Sequence, residues 1–110
     1  MTSYNVIITK QARVHLQGIR KYVTFVFKEP ESARNLIKLL KQEISSLSYM
    51  PERIRLVDEE PWRSLGFRKK TVGNYFIYFW INTDKQQVKV FAVINVKMDQ
   101  TQQLKNISFG

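Results

Sequence analysis

Apolar residues recur along the first half of the chain with two different periods, and each period predicts a different element. Near the N-terminus Tyr4, Val6 and Ile8 stand at every second position, which predicts a short strand. The next segment has a helical stripe, with apolar positions separated by four, three, four and three residues. Its members are Ala12, Leu16, Ile19, Val23 and Val26. Thr9 stands where an N-cap belongs, so we expect a helix from there to the end of the stripe.

A second helical stripe follows Glu29-Pro30-Glu31 and is the clearest periodicity in the sequence. Its apolar members are Ala33, Leu36, Ile37, Leu40, Ile44 and Leu47. Proline is tolerated in the first turn of a helix, and acidic residues there suit the positive end of the helix dipole. The pairs Ser45-Ser46 and Met50-Pro51 indicate where this helix ends. Two helices joined by a very short connection predict an antiparallel helical hairpin.

The second half of the chain predicts three strands and a short terminal helix. The polar segment 52–64 indicates a connecting loop, and strands are expected over 67–72, 75–81 and 88–94, with the helix over 99–104. The order is therefore β-α-α-β-β-β. It predicts an α+β fold in which the helical hairpin packs on one face of a curved, mainly antiparallel sheet, as a single domain over residues 1–110.

Cysteine and histidine usage narrows the chemistry. The absence of cysteine excludes a disulfide scaffold, an iron–sulfur cluster, a thiol nucleophile and zinc sites with cysteine ligands. With one histidine in the chain, we expect no metal and no cofactor. No apolar run approaches the roughly 20 residues that span a bilayer, and the N-terminus lacks a signal-peptide profile. These features predict a cytoplasmic protein with no membrane partner.

The charge balance favours a polyanionic partner. The chain has 18 Lys+Arg and 9 Asp+Glu, for a formal net charge of +9. Such an excess favours binding to RNA, DNA or an acidic protein, and improved solubility alone is the simpler alternative.

One acid-free segment concentrates basic and aromatic residues. Between Pro61 and Thr83 the basic residues are Arg63, Arg68, Lys69 and Lys70. On a strand Arg68 and Lys70 share one face and Lys69 lies on the other. Because the hairpin covers one face of the sheet, we expect the other to be exposed, with basic side chains and Tyr75 and Tyr78 able to hold phosphates and stack on bases. The alternative is a solvated strand whose charges prevent edge pairing.

Motifs of ordinary enzymes are missing. There is no glycine-rich phosphate loop, nucleophile elbow or metal-ligand spacing. His15 lies between stripe positions of the first helix, which indicates a surface or packing residue, and Trp62 is expected to pin its loop to the helices. The adjacent Glu59 and Glu60 lie on no defined element and do not predict a carboxylate pair.

In order and spacing these elements resemble the RelE/ParE toxins of bacterial type II toxin–antitoxin modules. The resemblance rests on Ile8-Thr9, Leu65-Gly-Phe-Arg-Lys69, Val72-Gly-Asn-Tyr75, Val90-Phe-Ala-Val-Ile94 and Asp99…Leu104, together with the two helical stripes. It covers nearly the whole chain. It implies a toxin held inactive by a cognate antitoxin that wraps around it in a hetero-oligomer.

The resemblance implies one of two activities. RelE-like members are similar to ribosome-dependent mRNA interferases, which cut mRNA without a metal, whereas ParE-like members bind and poison DNA gyrase. The charge of +9 favours the first activity, with the ribosome and mRNA as partners. Gyrase poisoning is the alternative, and a degenerate toxin that only binds its antitoxin is a third.

Site residues follow from the resemblance to the ribonuclease members. It implies that Arg68 and Lys70 bind the scissile phosphate and that Lys97 steadies developing charge. The implied RNA-binding residues are Arg63, Lys69, Tyr75 and Tyr78. The chain departs from the ribonuclease pattern at three positions, where Phe76, Met98 and Leu104 replace the expected arginine, arginine or histidine, and tyrosine.

Overall fold

The computed structural model describes residues 3–107, which form a four-stranded sheet, three α-helices and two short 3₁₀ helices, Ser46–Ser48 and Pro51–Arg53. The α-helices are α1 (Lys10–Phe25), α2 (Pro30–Ser45) and α3 (Gln100–Lys105); the strands are β1 (Asn5–Ile8), β2 (Arg68–Val72), β3 (Tyr75–Asn82) and β4 (Gln87–Asn95). The strand order is β1-β4-β3-β2, with β1 parallel to β4 and the other pairs antiparallel. The predicted α+β class and the order of the elements are confirmed.

Thr9 caps α1 as predicted and also fastens the helix to the sheet. Its Oγ1 accepts a hydrogen bond from the Ala12 N–H at 3.3 Å and donates one to the Val90 carbonyl at 3.0 Å. The helix then follows its apolar stripe to Phe25. The last stripe member, Val26, is exposed rather than buried, because no element covers this end of the hairpin.

The hairpin face of the sheet holds the larger of two apolar cores. Its buried members on the helices and the following turn are Ala12, Leu16, Leu40, Ile44 and Leu47, and its members on the strands are Val72, Tyr75, Ile77, Phe79, Val88, Val90 and Val93. These are the stripe positions of both helices and alternate positions of the strands. The periodicities therefore identified this core correctly.

The second face of the sheet is also covered, so the prediction of an exposed face is wrong. A second core of buried residues lies there: Val57, Trp62, Phe67, Tyr78, Phe91, Ala92, Ile94 and Leu104. The loop that looked polar folds back on the sheet, and the Val57 N–H donates to the Phe67 carbonyl at 2.9 Å. Trp62 packs in this core and not against the hairpin helices α1 and α2. The loop and α3 together cover this face of the sheet.

A bulge in the β3–β4 pairing lets β4 contribute two consecutive residues to the second core. The register shifts between Tyr78, which pairs with Ala92, and Phe79, which pairs with Val90. Phe91 lies at the bulge between them and belongs to the second core, as Ala92 does. Within residues 3–107, no helix is long and apolar enough to cross a membrane.

Candidate functional site

Arg68, predicted to bind the scissile phosphate, instead donates hydrogen bonds to the loop between α2 and β2. It pairs with Phe79 in the sheet register and therefore lies on the hairpin face. Its Nη1 donates hydrogen bonds to the Ile54 carbonyl and, at 3.2 Å, to the Glu52 carbonyl. These bonds satisfy loop carbonyls that would otherwise need other donors. A phosphate could take the guanidinium only by releasing the loop.

Lys70 shares that face, as alternation along the strand predicts, but it too has protein partners. Its Nζ lies 3.1 Å from Ser46 Oγ and 3.5 Å from Glu43 Oε1, at the C-terminal end of α2. The ammonium group is largely buried between β2 and α2. It therefore attaches the hairpin to the edge strand of the sheet.

Lys69 lies on the opposite face in a nearly closed environment. Its side chain is 9% exposed, and its Nζ lies 4.0 Å from Oε2 of Glu59, whose side chain is 19% exposed. The same ammonium lies 4.4 Å from the ring centroid of Phe76, a cation–π contact. Phe76, one of the departures from the ribonuclease pattern, thus covers a buried ion pair. In this structure Lys69 is not presented to an RNA.

The two tyrosines predicted to contact bases are buried on different faces. Tyr78 has no exposed surface, and its hydroxyl donates to Gln100 Oε1 at 2.6 Å. Burial, and to a smaller extent the charge of Glu59, raises the pKa of Tyr78, so its hydroxyl stays protonated. The Tyr78 ring cannot stack on a base in this conformation. Tyr75 belongs to the first core and is largely buried as well.

The remaining predicted cations, Arg63 and Lys97, are exposed and lie on different segments. Arg63 lies on the loop, where its Nη1 donates to the Val57 carbonyl at 3.1 Å and lies 3.9 Å from Asp58 Oδ1. Lys97 follows β4, and its backbone N–H donates to Asn95 Oδ1 at 2.9 Å. The structure therefore scatters the predicted site over both faces and the loop.

One groove does bring together Tyr75 and Lys97. It lies between α1 and the end of β4 and has a volume of about 570 Å³. We term it the α1–β4 groove; its apolar wall is formed by Val14, Ile19, Tyr22 and Met98. His15 also lines it, so this groove is the one place that combines a histidine, a cation and a predicted aromatic residue among the described residues.

His15 is held neutral in this groove. Its Nδ1 accepts a hydrogen bond from the Val93 N–H at 3.2 Å, and burial lowers its pKa. A neutral imidazole that accepts at Nδ1 carries its proton on Nε2. His15 can therefore donate a hydrogen bond to a ligand, but it cannot take a proton at Nε2 as a general base in this state.

This state of His15 predicts acid-sensitive stability. The folded-state pKa is lowered while the unfolded chain titrates near 6.5, so the unfolded state takes up the proton first as the pH falls. Stability should be complete above about pH 6.5 and decline below it, by at most about 1.4 kcal/mol per pH unit from this group. Urea unfolding at pH 7.5 and 5.5 should show a larger loss for the native chain than for His15→Gln. Equal losses would contradict the assigned role.

The two lysines predicted to act on the phosphate, Lys70 and Lys97, lie on different segments. Lys70 is packed between β2 and α2, whereas Lys97 lies in the turn after β4 and lines the α1–β4 groove. In the part of the chain that the structure describes, no group of three His, Asp or Glu could hold a metal ion.

The sequence did not reveal which residues bind the predicted cations and Tyr78. Glu43 and Glu59 pair with Lys70 and Lys69, and Gln100 holds Tyr78. Each contact joins segments more than eight residues apart, for which a single sequence carries no periodic signal. Segment 61–83 contains no acidic residue, so its basic residues looked unpaired in the sequence. In the structure, Lys69 and Lys70 pair with acidic residues from other segments of the chain.

Comparison with known proteins places the chain in a family. The family model described as the ParE toxin of the type II toxin–antitoxin system parDE matches residues 6–100. No curated protein matches the sequence. Among solved structures, the chromosomal ParDE system of P. aeruginosa aligns with a TM-score of 0.69 at 17% identity, covering 86% of this chain and 98% of that one.

Two further structures have similar folds. The toxin–antitoxin complex RelBE2 of Mycobacterium tuberculosis aligns with a TM-score of 0.60 at 20% identity, over 86% of this chain and 93% of that chain. A double mutant of the E. coli toxin RelE in the free state aligns with a TM-score of 0.61 at 13% identity, over 93% of each chain. The family match spans most of the sequence, and the fold agrees with it. The chain belongs to the RelE/ParE toxins, within the family of ParE toxins, and is the toxin of a type II toxin–antitoxin system.

Proposed function

We propose that this toxin acts by binding a protein target, DNA gyrase, and not by cutting RNA. The observation that carries the proposal is the state of the predicted catalytic cations. Arg68 is bonded to loop carbonyls, Lys70 is paired with Glu43, and Lys97 lies on a different part of the surface. Cleavage through the ribose 2′-hydroxyl needs a base, a phosphate clamp and a leaving-group acid around one phosphate. ParE-like toxins, which the chain resembles, poison DNA gyrase by binding it and do not need these catalytic groups.

An exposed apolar patch supports action through a protein contact. At the open end of the hairpin, Tyr22, Phe25, Val26 and Phe27 are 52%, 73%, 59% and 58% exposed. The rings of Tyr22 and Phe27 touch edge to face, with centroids 5.3 Å apart. Contiguous exposed apolar side chains are a feature of surfaces that bind proteins or membranes.

The partner of the toxin before release is, in this proposal, a cognate antitoxin. The solved relatives include the ParDE system and the RelBE2 toxin–antitoxin complex, which supports the same arrangement for this chain. We infer a cytoplasmic hetero-oligomer in which the antitoxin neutralises the toxin. In this proposal the toxin binds its antitoxin and DNA gyrase without a cofactor.

Ribosome-dependent mRNA cleavage is the second candidate. The net charge of +9 favours an RNA-rich target. The α1–β4 groove also places Tyr75, Lys97 and the Nε2–H donor of His15 around one space. In this alternative, the groove replaces β2 as the place where RNA binds.

Brief induction in bacterial cells separates the two activities. We expect growth arrest with a DNA-damage response and no new mRNA 5′ ends inside translated frames. The Lys70→Met variant should remain toxic, because Lys70 contacts Glu43 and Ser46 and the variant loses these structural contacts without losing a catalytic group. Lys85→Met, in the exposed β3–β4 turn, is the matched control for removing one charge.

Three results would count against this proposal. New 5′ ends that disappear when initiation is blocked would favour the interferase. Loss of toxicity in Lys70→Met but not in Lys85→Met, with both proteins folded, would restore β2 as the active surface. Absence of any toxicity on clean induction would favour a degenerate toxin that only binds its antitoxin.

A further inference from the structure

A continuous basic trough runs between α1 and α2, away from the predicted site. It consists of three adjoining clefts of about 570, 380 and 220 Å³. Arg20 lines all three clefts, so they form one feature. The cations that line the trough are Arg13, Arg20, Lys21, Arg34, Lys38 and Lys41, and no carboxylate lines any part of it. We term this feature the hairpin trough.

The charges of the hairpin trough are uncompensated. Among residues 3–107, no ion pair joins Arg20, Arg34 or Lys41 to a carboxylate. The helix α1 contains no acidic residue at all. Like charges three or four residues apart on a helix repel each other, so the spacing of Arg34, Lys38 and Lys41 costs α2 some stability. A ligand that supplies negative charge would remove that cost.

We propose that the hairpin trough binds the phosphodiester backbone of a nucleic acid. Arg34, Lys38 and Lys41 are spaced by four and three residues, which places them in one row along α2. From Arg34 to Lys41 that row is about 10 Å long, the length of roughly three phosphates along one strand of a duplex. The guanidinium groups of the trough match phosphate oxygens with two parallel hydrogen bonds each.

An acidic peptide fits the hairpin trough less well. A helix or strand laid in a groove is held by apolar anchors at regular spacing, with charges at the rim. Along its central cleft the trough offers one apolar side chain, Ile37, among cations and polar residues. Contacts made by charge alone read no base sequence, so we expect binding without sequence preference. The inference is independent of whether gyrase or the ribosome is the target, because each works on a nucleic acid.

Fluorescence anisotropy with the full-length toxin alone tests this inference. The probes are a 20-bp DNA duplex, an RNA duplex and a single-stranded RNA of one sequence, titrated between 50 and 200 mM KCl. If each of the six cations of the trough neutralises one phosphate, the affinity for the DNA duplex should fall about a thousandfold over this range of salt. The triple variant Arg20→Gln, Arg34→Gln, Lys41→Gln should reduce the slope of log K against log salt by about 2.7. All three side chains are exposed, so we expect the fold to survive, which circular dichroism would check.

The matched control removes the same charge elsewhere. Lys85→Gln, Lys89→Gln, Lys105→Gln changes three exposed lysines outside the trough and should leave the slope unchanged. Equal weakening by both triple variants would overturn the inference, since it would show a general charge effect. A 20-residue polyglutamate that binds more tightly than every nucleic acid probe would overturn it in favour of an acidic protein. Stronger binding of DNA or of RNA would identify the source of the phosphates.

Discussion

Replacing Tyr78 by alanine is expected to destabilise the toxin by about 3–5 kcal/mol, a large share of the stability of a small domain. Tyr78 is fully buried in the second core, at the centre of β3. Truncation would leave a cavity there and remove the hydroxyl that donates to Gln100 Oε1 at 2.6 Å. Because Gln100 is the first residue of α3, the helix would lose one of its bonds to the sheet and keep the one from Gln100 Nε2 to the Asn95 carbonyl. Urea unfolding followed by tryptophan fluorescence measures the loss, since Trp62 and Trp80 pack in the same core.

The matched variant is Tyr78→Phe, which keeps the ring and removes the hydroxyl. Its expected cost is about 0.5–1.5 kcal/mol, the net value of one hydrogen bond. Tyr78→Phe should remain toxic, because the ring has a packing role. A Tyr78→Ala protein that loses less than about 1 kcal/mol, or a folded Tyr78→Phe protein without toxicity, would contradict this role for Tyr78.

Replacing Lys69 by methionine is expected to cost about 3 kcal/mol, because it leaves the carboxylate of Glu59 nearly buried without a counter-charge. Oε1 of Glu59 already has no hydrogen-bond partner, so the ammonium of Lys69 is the main compensation for this carboxylate. The variant also loses the contact of the ammonium with Phe76. Urea unfolding gives the change in free energy directly.

A double variant separates this structural role from RNA binding. Lys69→Met combined with Glu59→Leu removes both charges, and we expect it to recover to within about 1 kcal/mol of the native stability. It should also recover toxicity, since the toxin is again folded. If Lys69 instead contacts RNA, the double variant should be stable and still inactive. That outcome would restore the role first assigned to Lys69.

The helical hairpin and the sheet could be predicted because their signals are local. The stripe from Ala12 to Val23 and the stripe from Ala33 to Leu47 repeat with the period of a helix, and Thr9 supplies a cap at the predicted position. A strand was expected over 75–81, and β3 lies there with residues in both cores. The prediction that the second face of the sheet is exposed was wrong. Val57, Trp62 and Phe67, which cover it, are spread through a polar segment and show no periodic pattern.

The site could not be predicted to the same depth, because charge in a sequence does not tell which charges are paired. Lys69 and Lys70 are adjacent and both basic, yet one pairs with Glu59 of the loop and the other with Glu43 of α2. Their partners are set by how the loop and α2 fold against β2. The hairpin trough escaped notice for a related reason, since its two rows of cations lie on separate helices and meet only in the fold.

Inhibition of purified DNA gyrase tests the central claim most directly. Toxin freed of its antitoxin would be added to gyrase, relaxed plasmid and ATP, with heat-denatured toxin as the control. The proposal predicts loss of supercoiling and accumulation of cleaved plasmid with the native toxin, and normal supercoiling with the control. Full supercoiling at a molar excess of folded toxin, together with mRNA cut in a translating ribosome assay, would contradict it.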